Sequence, residues 1–276
     1  MDKIGSPLFI LRDYCANDLF TVLERLAALD FDGVEFLSTF GHPYAKVKKR
    51  LDACGLKAIG DHVGFDEFSN DPARLIENHQ TLGCEYITIG PPPPDGQPGG
   101  PNYARVLETL HKLCEQTIDG GMYLLYHNHA DEIKRSLNGK TILEHYADDC
   151  PPLQLEPDLG WMHIGGGDPA YYLHKYGNRC PVIHFKDFIP NDSENAVTAY
   201  PPVARNGEMG YKSGEFEFRP TGYGVVNTSG LYAVARTIPS VQWYIVDHDC
   251  AYNRDIYEEL ILSRAYMNRL YLLHAR

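Results

Sequence analysis

The sequence predicts an α/β fold of the (β/α)8 barrel class. Short apolar runs rich in β-branched and aromatic residues recur along the 276 residues, and each is followed by apolar residues at helical spacing. Eight such units take about 34 residues each, which suits a (β/α)8 barrel. A doubly wound open sheet is the alternative, but no GxGxxG follows the first predicted strand. We therefore expect residues 1–276 to form a single barrel domain.

The eight strands are predicted from apolar runs of strand length. In chain order they are residues 8–12, 33–37, 57–62, 86–90, 122–127, 153–158, 182–186 and 242–247. The clearest helix is predicted over residues 18–29, whose apolar face carries Leu19, Val22, Leu23, Leu26 and Leu29.

Capping residues mark where the predicted helices begin and end. Gly55 and Gly83 follow amphipathic stretches, as C-terminal caps do. The pairs Asp71-Pro72 and Asp168-Pro169 each supply an N-cap followed by proline at the first helical position. Two stretches interrupt the alternation, residues 91–101 (PPPPDGQPGGP) and 189–224, and we expect both to be loops at the active-site end of the barrel.

Charge and composition exclude several classes of partner. The formal net charge is −12, from 25 Lys and Arg against 37 Asp and Glu, so nucleic acid is not an expected partner. No run approaches the roughly 20 apolar residues of a membrane span, and the N-terminal MDKIGSPLFI lacks a signal-peptide core. A cytoplasmic protein with no membrane partner is therefore expected.

The seven cysteines are odd in number and form no CxxC pair, which argues against a disulfide framework or a thiolate zinc site.

Acids and histidines concentrate at the predicted strand ends, where barrel enzymes place their catalytic groups. Because strand side chains alternate, His127 and His129 point the same way, as do residues 156 and 158, and 247 and 249. The set is Glu35, Asp61, His62, His127, Asn128, His129, Glu156, Asp158, His184, Lys186, Asp187, Asp247, His248 and Asp249.

Such a ring of imidazoles and carboxylates would repel itself inside a barrel mouth unless a cation neutralised it. The mixed nitrogen and oxygen donors favour a divalent ion, and the ligand types alone do not choose among Mn²⁺, Co²⁺, Zn²⁺, Mg²⁺ and Fe²⁺. Of these, Mn²⁺ is the expected cofactor. The alternative is that these acids only cap helices and pair with Lys or Arg. His163, expected in a loop, and the helical His111, His145, His174 and His274 are expected to be incidental. Trp161 is expected to form an apolar wall for a sugar ring.

At these strand ends the sequence resembles the sugar phosphate isomerase/epimerase family, the xylose isomerase-like TIM barrels that include inosose dehydratase and the ketose 3-epimerases. The match runs nearly end to end, and the order and spacing of its motifs are more specific than any one of them. The motifs are PLFILRDY, LERLAALDFDGVEF, RLDACGLKAIGDHVG, LLYHNHADE, LEPDLGWMHIGGGDP, VIHFKD, FRPTGYGVVN and WYIVDHD.

The resemblance implies a metal held by Glu, Asp, His and Glu from the last four barrel strands. The Asp and the His map to Asp158 and His184. His127 stands at the first glutamate position, with His129 and Glu132 as substitutes within reach, and Asp247 stands where the second glutamate is usual. The implied metal set is therefore His127, Glu132, Asp158, His184 and Asp247.

The resemblance also implies proton abstraction next to a carbonyl through an enediolate. The leading hypothesis is a divalent-metal-dependent isomerase or epimerase of a small sugar or keto-sugar, with His127, Asp247 and Lys186 as catalytic residues. Substrate binding is assigned to Glu35, His62, His129, Glu156 and Trp161. The alternatives are a lyase or dehydratase acting on a keto-inositol or a 3-keto-glycoside, an apurinic endonuclease, and a non-catalytic sugar- or subunit-binding barrel. A homo-oligomer is left open.

Overall fold

A computed structural model of the chain describes residues 2–190, 216–252 and 254–274. Its strands alternate with helices in the order expected of a (β/α)8 barrel. The strands are β1 Lys3–Pro7, β2 Gly33–Phe36, β3 Lys57–Val63, β4 Tyr86–Ile89, β5 Tyr123–His127, β6 Ser136–Leu137, β7 Lys140–Thr141, β8 Gln154–Glu156, β9 Val182–Pro190, β10 Phe216–Arg219 and β11 Trp243–Asp247.

The helices lie between these strands. They are α1 Arg12–Ala28, α2 Tyr44–Cys54, α3 Phe65–Asn70, α4 Pro72–Leu82, α5 Tyr103–Asp119, α6 Asp131–Lys134, α7 Ile142–Asp149, α8 Leu159–Ile164, α9 Pro169–Tyr176, α10 Thr228–Ala235 and α11 Ile256–His274. None of the helices in the described ranges is both long and apolar enough to cross a membrane.

Eight parallel strands follow one another around the barrel. Neighbours pair in the order β9, β11, β1, β2, β3, β4, β5 and β8. The circle closes between β8 and β9 through an isolated parallel bridge between Asp158 and His184. The far end of β9 pairs instead with β10, which runs antiparallel to it.

The expected helix caps are confirmed. Gly55 and Gly83 end α2 and α4 in the left-handed conformation, with φ of 72° and 84°. The carboxylates of Asp71 and Asp168 accept hydrogen bonds from the first turns of α4 and α9, each of which begins with proline. These caps are local, which is why the sequence specifies them well.

Several predicted bounds are wrong. The first strand is β1, Lys3–Pro7, whereas residues 8–12 form a turn and the start of α1. Helix α1 begins at Arg12, and the predicted start at Asp18 is a kink where the Asp18 carboxylate accepts hydrogen bonds from the backbone of Phe20 and Thr21. The predicted loop 189–224 contains the end of β9 and all of β10, and its residues 191–215 lie outside the described residues. His163 lies in α8 rather than in a loop.

The inside of the barrel is apolar toward the amino ends of its strands, and we call this part the barrel floor. A buried cluster joins the strands there: Ile59, Tyr86, Leu125, Val182, Trp243 and Ile245. Gly5 and Gly33 leave room for it, because a Cβ atom on Gly5 would lie 2.4 Å from Ile59 Cδ1 and one on Gly33 would lie 2.9 Å from Ile59 Cγ1. A second buried cluster fills the space between the strands and the helices.

A bulge in β3 decides which side chain enters the barrel. The register with β2 shifts from Val34 opposite Ala58 to Glu35 opposite Gly60, so Ile59 is an extra residue in β3. A bulge of this kind reverses the alternation of the residues that follow it. His62 consequently points into the barrel, while Asp61 points outward to α4.

Candidate active site

The interior of the barrel becomes polar toward the carboxyl ends of the strands. Leu125, Val182 and Ile245 belong to the apolar floor. Two residues further along the same strands stand His127, His184 and Asp247, which share the inward direction because side chains alternate.

Three histidines and two glutamates meet at this level, and we call His62, His127, His184, Glu156 and Glu35 the histidine cluster. Glu156 Oε1 lies 2.9 Å from His62 Nε2, 3.0 Å from His127 Nδ1 and 3.2 Å from His184 Nε2. Glu35 Oε2 lies 2.8 Å from His184 Nε2 and 3.2 Å from His62 Nε2. All but His62, which is partly exposed, are buried.

One ammonium and three carboxylates form a second group nearer the mouth, and we call Lys186, Asp158, Asp247 and Asp249 the lysine cluster. Lys186 Nζ lies 3.0 Å from Asp158 Oδ2, 2.9 Å from Asp247 Oδ2 and 2.7 Å from Asp249 Oδ1. Lys186 is only 1% exposed. It is the only Lys or Arg in the described part of the chain that forms an ion pair with these carboxylates.

His184 belongs to the first cluster and contacts the second. Its Nε2 faces Glu35 and Glu156, and its Nδ1 lies 3.0 Å from Asp247 Oδ2. Hydrogen bonding through Nδ1 fixes the orientation of the ring. The two ring nitrogens therefore have different partners.

Charges in the two clusters shift the pKa values of their members. Burial alone would lower the pKa of His62, but the carboxylates of Glu156 and Glu35 raise it to about 10. The same opposition raises the pKa of His184 well above its usual value. For His127 burial prevails, and its pKa falls well below the usual 6.5, so this imidazole is neutral.

The lysine cluster shows the complementary shifts. Burial disfavours the ammonium of Lys186, yet Asp158, Asp247 and Asp249 raise its pKa well above 10.5. Burial raises the pKa of Asp158 to about 6 against the pull of the ammonium. For Asp247 the attraction of Lys186 and His184 outweighs burial and holds the pKa well below 3.8.

The turn after β5 is braced by residues that the sequence placed near the metal. Glu132 accepts hydrogen bonds from the Tyr126 hydroxyl and from the His129 backbone, 3.1 and 3.0 Å away, and lies outside both clusters. The Asn128 side chain accepts a hydrogen bond from the Asp158 backbone at 3.1 Å. His129 is half-buried, with its ring centre 5.2 Å from that of His127.

Trp161 packs beside the lysine cluster. Its ring is fully buried and packs edge-on against Phe216 and Phe218 of β10. Lys186 Nζ lies 5.1 Å from the centre of the Trp161 ring. Trp161 and β10 therefore cover the ammonium from the side.

Three strand-end groups that the sequence placed at the mouth face elsewhere. Asp61 Oδ2 lies 3.0 Å from His79 Nε2 on α4. The buried carboxylate of Asp187 accepts backbone hydrogen bonds from Gly222, Gly224 and Val226 and so holds the turn after β10. His248 Nε2 lies 2.9 Å from Glu259 on α11.

We expect Asp61→Asn to destabilise the fold by about 3 kcal/mol at neutral pH, because it breaks a buried ion pair. Burial lowers the pKa of His79, but Asp61 raises it overall above 6.5. The stabilisation is therefore complete below the unfolded pKa and is lost as the pH rises through the folded pKa. Urea unfolding at about pH 6 and about pH 9 should show a larger deficit at the lower pH. An equal deficit at both would contradict the ion pair.

One residue that supports the site was missed by sequence reasoning. Thr88 in β4 donates a hydrogen bond to Glu156 Oε2 at 2.8 Å, and it lies in the sequence YITIG, which matches no catalytic motif. The position of Thr88 in its strand could have identified it. It lies two residues after Tyr86 of the barrel floor, so the two side chains point the same way, into the barrel.

The donors present suit a divalent cation. Two groups lie close enough to hold one, His62, His127, Glu156 and His184 in one, and Asp158, His184 and Asp247 in the other. Five buried carboxylates line the two clusters against one ammonium. Glu35 Oε1 accepts no hydrogen bond from the described residues, and Oε2 faces the imidazoles of His62 and His184. Buried carboxylates without such partners are costly, and a cation would offset that cost.

Comparison with known proteins places the fold in a family. Residues 23–262 match the family model described as xylose isomerase-like TIM barrel. Inosose dehydratase of Geobacillus kaustophilus is 26% identical over 208 residues, which span 64% of this chain and 64% of that enzyme's length. Because the match leaves out more than a third of that enzyme, its activity does not transfer with it.

Solved structures agree on the fold. A sugar phosphate isomerase/epimerase from Parabacteroides distasonis superposes with a TM-score of 0.73 at 17% identity, over 98% of both chains. The 3-keto-D-glucoside 4-epimerase of E. coli gives 0.64 at 14% identity, over 98% of this chain and 99% of that one. The family resemblance and the (β/α)8 barrel expected from the sequence are both confirmed, and the chain belongs to the xylose isomerase-like TIM barrel family.

Proposed function

We propose that this protein is a divalent-metal-dependent isomerase or epimerase of a small sugar or keto-sugar. The observation that supports it is the pair of adjoining clusters, which together hold three imidazoles, five buried carboxylates and one buried ammonium at the active-site end of the barrel. A structural role alone does not require so many buried charges, and perturbed titratable groups concentrate at functional sites.

The chain's own residues supply proton transfer and oxygen binding. When bound, a divalent cation supplies polarisation of a carbonyl and a neighbouring hydroxyl oxygen. His127 is neutral and buried, so it can take a proton from the carbon next to the carbonyl. Lys186 stays charged and can donate a hydrogen bond to the oxygen on which negative charge develops. Asp247 is ionised and can exchange the proton at the other carbon.

Substrate contacts follow from exposure. His62 is 30% exposed at its side chain, and His129 is half-buried next to His127, so both can reach a bound sugar. Glu35 and Glu156 lie deeper and are almost fully buried. We therefore assign recognition of substrate hydroxyls to His129 and the outer edge of His62.

A dehydratase or lyase acting on a keto-inositol or a 3-keto-glycoside is the second candidate. The similarity to an inosose dehydratase favours it. The same residues suffice, since elimination also begins with removal of a proton next to a carbonyl. Lys186 would then protonate or stabilise the oxygen that leaves.

Proton NMR in D2O with keto-inositols, 3-keto-glycosides and ketoses separates the two reactions. An isomerase or epimerase should leave one solvent deuteron at the moved or inverted carbon. A lyase or dehydratase should give a new alkene proton or a released aglycone. Chelator-treated protein is the control, and equal conversion with and without metal would rule out the metal-dependent chemistry.

Metal analysis tests the non-catalytic alternative. We expect about one divalent ion per chain after reconstitution with Mn²⁺ or Co²⁺ and gel filtration, because the clusters carry a net negative charge. Elemental analysis of the purified protein measures the ratio. A content of less than a few tenths of an ion per chain would favour a binding barrel without metal chemistry.

A further inference from the structure

We infer that the divalent cation binds in the histidine cluster, to His62, Glu156 and His184, with Glu35 completing the set. His127 stays outside this set as the base, and Lys186 occupies the corner between Asp158 and Asp247. The inference rests on the proposed function only in taking a divalent cation to be bound. It departs from the sequence-based expectation, in which Asp158 and Asp247 were ligands.

The orientation of His184 is the first observation that favours the histidine cluster as the metal site. Nδ1 of the ring faces Asp247, and Nε2 faces Glu35 and Glu156. Histidines that bind metals usually donate their other ring N–H to a carboxylate, which fixes the ring and makes the free nitrogen a better ligand. Asp247 then positions His184, whose Nε2 is left for an ion in the histidine cluster.

The spacing of the donor atoms is the second observation. His62 Nε2, Glu156 Oε1, His184 Nε2 and Glu35 Oε2 form a closed ring with successive edges of 2.9, 3.2, 2.8 and 3.2 Å. Neighbouring ligands of an octahedral ion with bonds of about 2.1 Å lie about 3.0 Å apart. The ring has these dimensions, and His127 Nδ1 lies beside it, 3.0 Å from Glu156 Oε1.

The position of Lys186 is the third observation. Its Nζ lies within 3.0 Å of both Asp158 Oδ2 and Asp247 Oδ2. An ion bound between these two aspartates would need the same oxygens. A divalent ion placed there would share these oxygens with the ammonium and would be repelled by it at short range. In the histidine cluster the carboxylates have no ammonium partner among the described residues.

The position of the metal can be located directly in the whole protein. Crystals of the full chain soaked with Co²⁺ alone, measured at the cobalt absorption edge, should show an anomalous peak about 2.1 Å from His62 and His184 Nε2. A peak on the Asp158 and Asp247 carboxylates, with Lys186 turned away, would overturn the inference and leave the proposed function standing. Absence of any peak would overturn both the inference and the metal dependence.

A matched pair of variants tests the same point in solution. Glu156→Gln and Asp158→Asn make the same change, from carboxylate to amide, two residues apart. Calorimetric titration with Co²⁺ should show the affinity falling about 100-fold or more in the first variant and about tenfold or less in the second. The reverse order would overturn the inference. Circular dichroism checks that both variants fold, and the wild-type crystal remains decisive if one of them does not.

Metal binding and turnover are read separately. Cobalt found in the histidine cluster of a protein that converts no keto-sugar would leave the inference intact and remove the proposed function. The number of imidazoles around the ion, counted by pulsed EPR on Mn²⁺-loaded protein, gives a further readout. Two imidazoles agree with an ion held by His62 and His184, and a single imidazole would contradict it.

Discussion

Replacing His184 by glutamine is expected to abolish metal binding and to reduce turnover by roughly 10³-fold or more, consistent with loss of acid–base or metal chemistry. The reason is that His184 is common to both groups of residues that could hold a cation. Its loss therefore removes a ligand wherever the ion lies. Calorimetry with Co²⁺ measures the binding, and NMR with the accepted keto-sugar measures the turnover.

A distant histidine provides the control for this variant. His174 is exposed on α9, and His174→Gln should leave both metal binding and turnover unchanged. Circular dichroism should be native for both variants, because His184 does not belong to the apolar floor of the barrel. Turnover retained by His184→Gln would refute the assignment of this site.

Replacing Lys186 by methionine is expected to destabilise the protein by about 3–5 kcal/mol at neutral pH and to reduce turnover by about 10²-fold or more. The variant keeps a long side chain but leaves three buried carboxylates without their ammonium. Because Lys186 lowers the pKa values of Asp158 and Asp247, its loss raises them. Protonation at lower pH should then recover part of the stability, which urea unfolding at about pH 7 and about pH 5 measures.

An exposed ion pair serves as the control. Lys140 pairs with Asp148 on the surface, with 46% of the lysine side chain exposed. Lys140→Met removes the same charge and should produce no comparable loss of stability or turnover. If Lys186→Met were as stable as the wild type at pH 7, the buried ammonium would not be balancing the carboxylates.

The features that the sequence predicted well are those set by neighbouring residues. Alternation of strands and helices identified the barrel, and cap residues such as Gly55 and Asp168 marked helix ends. The first strand was placed five residues late because LFILR is more apolar than KIGSP, although Gly5 is required by the packing of Ile59. Tertiary packing overrode local preference at that point.

The sequence indicated most of the side chains that meet inside the barrel, but not the contacts between them. Strict alternation put Glu156, His127 and His184 on the inside correctly. It could not choose between Asp61 and His62, because the bulge at Ile59 is a property of the pairing between β2 and β3. Nor could it show that Asp187 holds a turn or that Glu132 binds the Tyr126 hydroxyl, since these contacts depend on where the loops return.

The site lies where the barrel closes, so a cation bound there would also affect the stability of that closure. Every other pair of neighbouring parallel strands shares a ladder, but β8 and β9 are joined by one isolated bridge at Asp158 and His184. Glu156 and His184 stand on opposite sides of this seam. A cation that contacts both would link β8 to β9 across this seam, so a metal bound for the proposed chemistry would also stabilise the closure of the barrel.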